Sequence, residues 1–157
     1  MKLPSHSKIY KAQTRSSDER GSIVSIVDEV SSNVSIITCN KGSIRSNHYH
    51  LTDWHFMYVL DGKIDYFCKD IETGLVTYYE VNKQDNIFTP PKEIHATYFP
   101  IDTKLIVTSK NPRDKETYEN DTVRVEFLNQ LNIHSFIEKY RKWSKQKKFL
   151  IVDYVNQ

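Results

Sequence analysis

The feature that most constrains the fold is a regular series of short segments rich in Val, Ile, Thr and Tyr. Turn signals separate these segments, among them Asp61-Gly62, the run 72–74 and Pro90-Pro91. Helical periodicity is absent before about residue 130, which favours an antiparallel barrel or sandwich. The predicted strands are residues 22–27, 34–39, 55–60, 64–68, 75–81 and 104–108.

The pattern changes to a helical one after residue 130. Ser135 and Glu138 fit a capping box, and apolar residues then recur at helical spacing, which predicts a helix over residues 135–146. Residues 149–155 look like a further short strand. Residues 139–148 hold six Lys or Arg and no acid, and we interpret them as the solvated face of this helix. Because the helix aromatics fall on the buried stripe, we predict no nucleic-acid partner.

Length and composition narrow the class of protein. The 157 residues suit a single domain with a core, and 27% charged residues are typical of a soluble protein. A run of about 18 apolar residues is absent, so no membrane span is expected. Two cysteines in no CxxC pattern do not suggest a disulfide scaffold. The protein is therefore expected to be cytoplasmic.

Three of the six histidines fall within eight residues, at His48, His50 and His55. Strand side chains repeat every second residue, so His48 and His50 project from the same face of an extended strand. His55 can reach the same cavity after a turn, and His95 would arrive from a facing strand. Four converging neutral imidazoles suit Zn, Fe, Ni or Cu, whereas Mg or Ca would prefer carboxylate oxygen.

The spacing of this stretch resembles the first motif of the cupin superfamily: Gly, five residues, His-x-His, three or four residues, Glu, six residues, Gly. The chain departs from it only at His55, where the family usually has Glu. The second cupin motif is matched at Pro90 and His95. Gln84, Lys92 and Phe99 stand where that motif has glycine, glycine and asparagine.

The resemblance implies an all-β fold, a cupin-type antiparallel jelly-roll β-barrel with a C-terminal helix and short strand. We assign residues 1–128 to the cupin domain, with its core at about 22–110, and residues 129–157 to the extension. Alternation along residues 55–60 predicts that His55 and Met57 face the cavity. It also predicts that Phe56, Tyr58 and Leu60 are buried against a second layer.

A second resemblance concerns the substrate. Residues 43–50, with Arg45 three residues before His48, look like the histidine stretch of small cupins from nucleotide-sugar and capsular-polysaccharide pathways. The resemblance to these small cupins extends to residues 90–95, 112–114 and 118–124. This resemblance implies 3- or 3,5-epimerisation, or 3,4-ketoisomerisation, of a nucleotide-linked 4-keto sugar. Arg45 is then the candidate for the diphosphate, and Arg124 and the basic helix are weaker ones.

Two chemistries for the pocket stay open at this point. In one, a single transition-metal ion (Zn, Fe or Ni) is bound by His48, His50, His55 and His95, and no organic cofactor is needed. In the other the site is metal-free, because a histidine that gives its lone pair to a metal cannot also take a proton. His48 or His50 would then be the catalytic base, and the candidate acids are Tyr49, Tyr66 and Tyr98.

Other functions and the assembly also stay open. The alternatives are a metal-dependent cupin dioxygenase and a non-enzymatic cupin that binds a sugar or a metal, because one fold hosts many functions. The apolar run 149–152 lies beyond the basic helix and is a poor fit to a closed barrel. We therefore predict a homodimer that uses the C-terminal tail.

Overall fold

Two five-stranded antiparallel sheets face each other in the computed structural model, which describes residues 2–142. One sheet has the order β1-β9-β6-β11-β4 and the other β12-β5-β10-β7-β8, while β2 and β3 form a separate hairpin. The strands are β1 Lys8–Lys11, β2 Gln13–Asp18, β3 Gly21–Ser25, β4 Asn33–Cys39, β5 Ile44–His50, β6 His55–Asp61, β7 Lys63–Asp70, β8 Val76–Asn82, β9 Asp85–Thr89, β10 Glu93–Tyr98, β11 Thr103–Ser109 and β12 Thr122–Arg124. This arrangement confirms the predicted jelly roll.

The core lies between the two sheets and is built from both. Val59 and Ile87 of one sheet are fully buried, as are Ile64, Tyr66 and Val81 of the other. All six predicted strands are present within a few residues of their expected bounds. The sheets also include β1 and β12, which lie outside the expected 22–110 core.

Strand β6 corrects the predicted orientation of its side chains. Met57 faces the interior as expected and lies in the core. Phe56 is buried in a separate aromatic cluster on the outer face, but Tyr58 is only half-buried and Leu60 is 41% exposed. The outer layer therefore covers only the beginning of β6. The prediction that Tyr58 and Leu60 are buried is wrong, because strand alternation gives the face of a side chain but not what covers that face.

The turns at the glycine positions of the two cupin motifs have left-handed backbone conformations, including the two positions where this chain has no glycine. Gly62 joins β6 to β7 with a φ of 95°, and a Cβ there would come within 2.6 Å of the Asp102 carbonyl oxygen. Gln84 and Lys92 stand at the two glycine positions of the second motif, with φ values of 69° and 58°. The left-handed turn geometry is therefore kept by residues that adopt it at some cost.

Helix α1, Lys115–Asp121, follows β11. Its N-cap is Asp114, whose side chain accepts a hydrogen bond from the Thr117 N–H. A second helix, α2, is described over residues 133–142. It begins at residue 133, so Ser135 lies inside the helix, where its hydroxyl donates to the carbonyl of Asn132. Ser135 is therefore not the N-cap, and the predicted capping box is wrong. Neither helix, nor any other described over residues 2–142, is long and apolar enough to cross a membrane.

Helix α2 packs on the outer face of β7 and β8. Phe136 and Tyr140 contact Phe67 with ring centroids 5.9 and 6.1 Å apart. Arg141 donates to the fully buried Asp65 carboxylate at 3.0 Å, so the helix is held by both apolar and ionic contacts. Lys139 and Lys142 of the basic cluster are exposed, as predicted for a solvated face. The other lysines of the cluster, the predicted strand 149–155 and the tail of the predicted homodimer lie outside the described residues.

Candidate functional site

Four histidines meet at one point inside the jelly roll. His48 and His50 lie on β5, His55 begins β6 and His95 lies on β10, so both sheets contribute. The ring centroid of His48 lies 4.7 Å from those of His50 and His95, and the ring centroid of His55 lies 5.0 Å from that of His95. All four side chains are buried. The structure therefore brings together the four histidines that the sequence singled out.

A β-bulge in β5 sets which side chains face this point. Ser46 and Asn47 have φ values of 70° and 54°, and the pairing with β10 shifts register there. Asn47 is held by Leu128, whose backbone N–H and carbonyl both bond its side-chain amide at 2.9 Å. Arg45 and His48 are three residues apart, and a regular strand would place them on opposite faces. The bulge lets both line the same pocket.

The histidines line a pocket of about 130 Å³. Apolar core residues such as Met57, Leu105 and Val107 also line it. Arg45, Arg113 and Tyr118 also line it, and they place charge and a phenol beside the imidazoles. A volume of this size is well below the ~300–1,000 Å³ of pockets that enclose drug-sized ligands. The pocket therefore suits a small polar group rather than a whole nucleotide.

Hydrogen bonds fix which nitrogen of His50 faces the pocket. Its Nδ1 lies 3.3 Å from Thr122 Oγ1, and Thr122 already donates its hydroxyl hydrogen to the Tyr118 carbonyl at 2.6 Å. Thr122 can therefore only accept from His50, so Nδ1 carries the hydrogen. Nε2 then holds the lone pair, and it has no hydrogen-bond partner within residues 2–142.

Asp121 supports the same arrangement. Its Oδ2 lies 3.5 Å from His50 Nδ1, and its carboxylate accepts from the Thr52 and Asp53 backbone N–H groups at 2.8 and 3.0 Å. These donors stabilise a carboxylate beside the imidazole, which would in turn stabilise a protonated His50. His95 is oriented similarly, because its Nδ1 donates to the Glu93 carbonyl at 3.2 Å and leaves Nε2 unpartnered among the described residues.

The environment keeps the imidazoles neutral. Burial lowers the pKa of His48 to about 4, with further lowering from His50 and Arg113. Burial also lowers the pKa of His50 to about 4, with Arg113 adding to the effect and Asp121 opposing it. Burial holds the pKa values of His55 and His95 well below their ordinary range. At neutral pH the lone pairs are therefore free either to take a proton or to bind a metal ion.

The three tyrosines that the sequence suggested as acids lie away from the pocket. Tyr49 lies between His48 and His50 on β5, so its side chain projects to the opposite face. Tyr66 is fully buried behind His95, with its hydroxyl bonded to Ser7 and Thr89. Tyr98 lies on the outer face, where it contacts His134.

Tyr118 is the tyrosine that reaches the pocket, and sequence reasoning gave it no role. It lies on α1, and its ring centroid is 5.7 Å from that of His50 and 6.3 Å from that of His48. Its segment had been noted only as part of the resemblance to sugar-pathway cupins. Asp121 was missed in the same way, because a short polar helix carries no apolar pattern that shows which face points inward.

The two predicted substrate-binding arginines differ in position. Arg45 is exposed and lines the pocket, so it lies at the pocket mouth. Arg124 does not line the pocket. It is exposed and forms a bidentate ion pair with Glu119, both bonds 2.8 Å long, although its strand β12 pairs with β5 next to His48.

The predicted four-histidine metal site is divided in the structure. Donor atoms of His48, His50 and His95 lie within 4.8 Å of one another, and a second such group consists of His50, Asp53 and His55. The buried, unpartnered Nε2 atoms of His50 and His95 are the kind of donors that zinc or iron takes. The residues therefore fit a transition-metal ion, with His48, His50 and His95 as the tighter group.

A jelly roll with a histidine-lined pocket between its two sheets defines a cupin-type fold. The chain belongs to the family described as the polysaccharide biosynthesis C-terminal domain, which matches residues 16–108. No curated protein sequence matches it.

Solved structures confirm the fold. QdtA, a sugar 3,4-ketoisomerase from Thermoanaerobacterium thermosaccharolyticum in complex with TDP, matches with a TM-score of 0.63 and 18% identity over 89% of this chain and 98% of that one. The dTDP-4-dehydrorhamnose 3,5-epimerase from Sulfolobus tokodaii matches with a TM-score of 0.63 and 16% identity over 81% of each chain. The capsular polysaccharide assembling protein CapF from Staphylococcus aureus matches with a TM-score of 0.57 and 21% identity, over 75% of this chain and 33% of CapF.

Proposed function

We propose that the protein is an isomerase or epimerase that acts on a nucleotide-linked 4-keto sugar. The observation that carries this proposal is His50, a buried neutral imidazole whose Nδ1–H is held by Thr122 and Asp121 and whose Nε2 lone pair is unpartnered in the pocket. Such a group can remove the proton next to a ketone. The fold, shared with a 3,4-ketoisomerase and a 3,5-epimerase, supports the choice of substrate.

The residues around His50 take complementary roles in this proposal. His50 Nε2 accepts the proton, and the Asp121 carboxylate stabilises the imidazolium that forms. Tyr118, with its ring centroid 5.7 Å from that of His50, is the nearest phenol and can donate or accept the second proton. The pocket has room for a small polar group only, so the nucleotide would lie outside it, with Arg45 at the mouth facing the diphosphate.

Hydrogen exchange at carbon tests the proposal directly. The protein is incubated in D₂O with dTDP- and UDP-linked 4-keto-6-deoxy sugars, and NMR follows deuterium at C3, C4 and C5. Entry at C4 with movement of the ketone to C3 indicates 3,4-ketoisomerisation, whereas entry at C3, or at C3 and C5, with inversion indicates epimerisation. No exchange across the panel would contradict the proposal. Oxygen consumption by an Fe(II) form with a diketone or thiol would instead support the dioxygenase.

The metal site is a separate proposal, supported by the convergent histidine donors. We expect about one equivalent of Zn, Fe or Ni in protein purified without chelator, measured by elemental analysis, because neutral imidazoles bind these ions well. Replacing His95 with alanine should remove most of the metal, while His134→Ala, on the outer surface, should retain it. Wild-type protein without a stoichiometric ion, and unable to take up added Zn²⁺, would contradict the proposal.

The metal proposal and the acid–base proposal both require the lone pair of His50 Nε2, which cannot serve both. A metal at His50 Nε2 would occupy the atom that must take the proton, and it would supply a Lewis acid for the ketone in exchange. Measuring carbon exchange before and after treatment with a chelator separates the two. Retained exchange in the metal-free protein supports His50 as the base, and lost exchange that is restored by one ion supports the metal.

A further inference from the structure

Arg113 is a partly buried cation that the sequence patterns left without a role. It follows β11, and its side chain is 23% exposed. Its Nη2 lies 3.1 Å from the Oδ2 of Asp53, and its Nε donates to Ser109 Oγ at 3.0 Å. Its guanidinium carbon lies 5.1 Å from the centre of the Tyr118 ring. Three different contacts therefore fix the plane and direction of this guanidinium.

Asp53 is itself held in place. Its side chain is 3% exposed, and its Oδ1 accepts from the Asn111 backbone N–H at 2.8 Å. Arg113 thus lies between a buried carboxylate on one side and the pocket that it lines on the other. Its Nη1 has no hydrogen bond or ion pair among residues 2–142. The N–H groups of Nη1 therefore remain able to donate a hydrogen bond to a molecule bound in the pocket.

The pocket places this donor beside the proposed base. Tyr118 contacts Arg113 on one side and His50 and His48 on the other, with ring centroids 5.7 and 6.3 Å from the two imidazoles. Arg113 also acts on all four buried imidazoles through its charge. Any negative charge that develops next to His50 would therefore experience the same guanidinium.

We propose that Arg113 is a catalytic residue that hydrogen-bonds the ketone oxygen of the sugar and stabilises the enolate formed when His50 removes the neighbouring proton. This proposal rests on the proposed function in its metal-free form, in which no group had yet been assigned to the ketone oxygen. A guanidinium held by Asp53, Ser109 and Tyr118 needs no reorganisation as the charge develops, which is the condition under which such donors are most effective. Arg45 is exposed at the pocket mouth, whereas the Arg113 side chain is only 23% exposed.

The step balances without an oxidant or reductant. The C3–H bond breaks and its proton moves to His50 Nε2, while its electron pair forms the C3=C4 bond and the carbonyl π pair moves onto the C4 oxygen. Arg113 donates a hydrogen bond to that oxygen. Protonation of C3 from the other face, with Tyr118 as the donor, gives the epimer; the proton on His50 then passes to solvent, and the tyrosinate regains a proton from solvent. Transfer of the O3 hydrogen to O4, followed by protonation at C4, gives the 3-keto isomer.

The test separates the role of Arg113 at the ketone from a role in binding phosphate. In Arg113→Met we expect kcat for carbon exchange to fall by ~10²–10³-fold, as for loss of one oxyanion donor. The affinity for dTDP or UDP alone should stay within about twofold of wild type, since the diphosphate lies outside the pocket. Arg20→Met, which removes an exposed arginine of the β2–β3 hairpin, should leave kcat and nucleotide affinity unchanged.

Removing Arg113 alone leaves the buried Asp53 carboxylate without its partner, so Asp53→Asn/Arg113→Met is measured as a second variant with a neutral pair. It should show the same fall in kcat with near wild-type unfolding. Ethylguanidinium added to Arg113→Gly should restore part of the turnover.

Three outcomes would overturn the proposal: wild-type kcat in the double variant, a loss confined to nucleotide affinity, or no rescue by the guanidinium. Exchange by the wild-type protein would still support the proposed function in each of these cases. If the wild-type protein itself shows no exchange, it is the proposed function that fails.

Discussion

Replacing His50 with asparagine should lower kcat for carbon exchange by ~10²–10⁴-fold, the range that positioned acid–base groups usually contribute. The asparagine amide can still donate to Thr122 Oγ1, which lies 3.3 Å from His50 Nδ1, so the bond that orients the side chain is kept. The unpartnered Nε2 lone pair is lost. The substitution therefore removes the proposed proton acceptor with little change in volume or in the surrounding hydrogen bonds.

Steady-state exchange in D₂O, with dTDP or UDP affinity measured in parallel, tests this expectation. His134→Asn is the matched control, because His134 is exposed on the outer surface. Asp121→Asn should have a smaller effect than His50→Asn, since it weakens the stabilisation of the imidazolium and leaves the base in place. A His50→Asn variant with more than about a tenth of the wild-type kcat would show that another group takes the proton, and His48 would be the next candidate.

Acidification should destabilise the metal-free protein strongly between pH 7 and pH 5. Burial lowers the pKa of His48 and of His50 to about 4, whereas an unfolded histidine titrates near 6.5. The folded state therefore binds fewer protons than the unfolded state in this window. The stability contributed by the neutral imidazoles is present above about pH 6.5 and is lost as the pH falls toward 4.

The expected loss is about 2 kcal/mol for each of these two histidines between pH 7 and pH 5. This is a large share of the ~5–15 kcal/mol that usually separates folded from unfolded domains. Urea unfolding at several pH values, with chelator present, measures it. His48→Asn/His50→Asn should flatten the dependence of the unfolding free energy on pH, and His134→Asn should not. An unchanged pH dependence in the double variant would contradict the expectation.

Much of the fold was predictable from the sequence because strands and turns are local. Alternating apolar residues and turn signals such as Asp61-Gly62 predicted six strands nearly at their observed bounds. The convergence of His48, His50, His55 and His95 followed from strand periodicity together with the cupin spacing. The error at Leu60 arose because burial of an outward-facing residue depends on a layer that lies elsewhere in the chain.

The charged part of the site was not predictable in the same way. Arg113, Tyr118 and Asp121 lie in a polar segment that has neither strand alternation nor a long helical stripe. Their direction is set by tertiary contacts, chiefly the Arg113–Asp53 ion pair and the bonds of Asp121 to the Thr52 and Asp53 backbone. No sequence pattern encodes such contacts.

The segment that follows β11 supplies the charged groups of the pocket separately from the strands that supply its histidines, and this separation affects how such proteins can diversify. The barrel strands supply the neutral imidazoles, while residues 113–122, which include α1, supply the cation, the phenol and the carboxylate beside them. Loops tolerate change better than packed strands do. Substitutions confined to residues 113–122 could therefore change the chemistry of the pocket while the strands and their histidines stay the same.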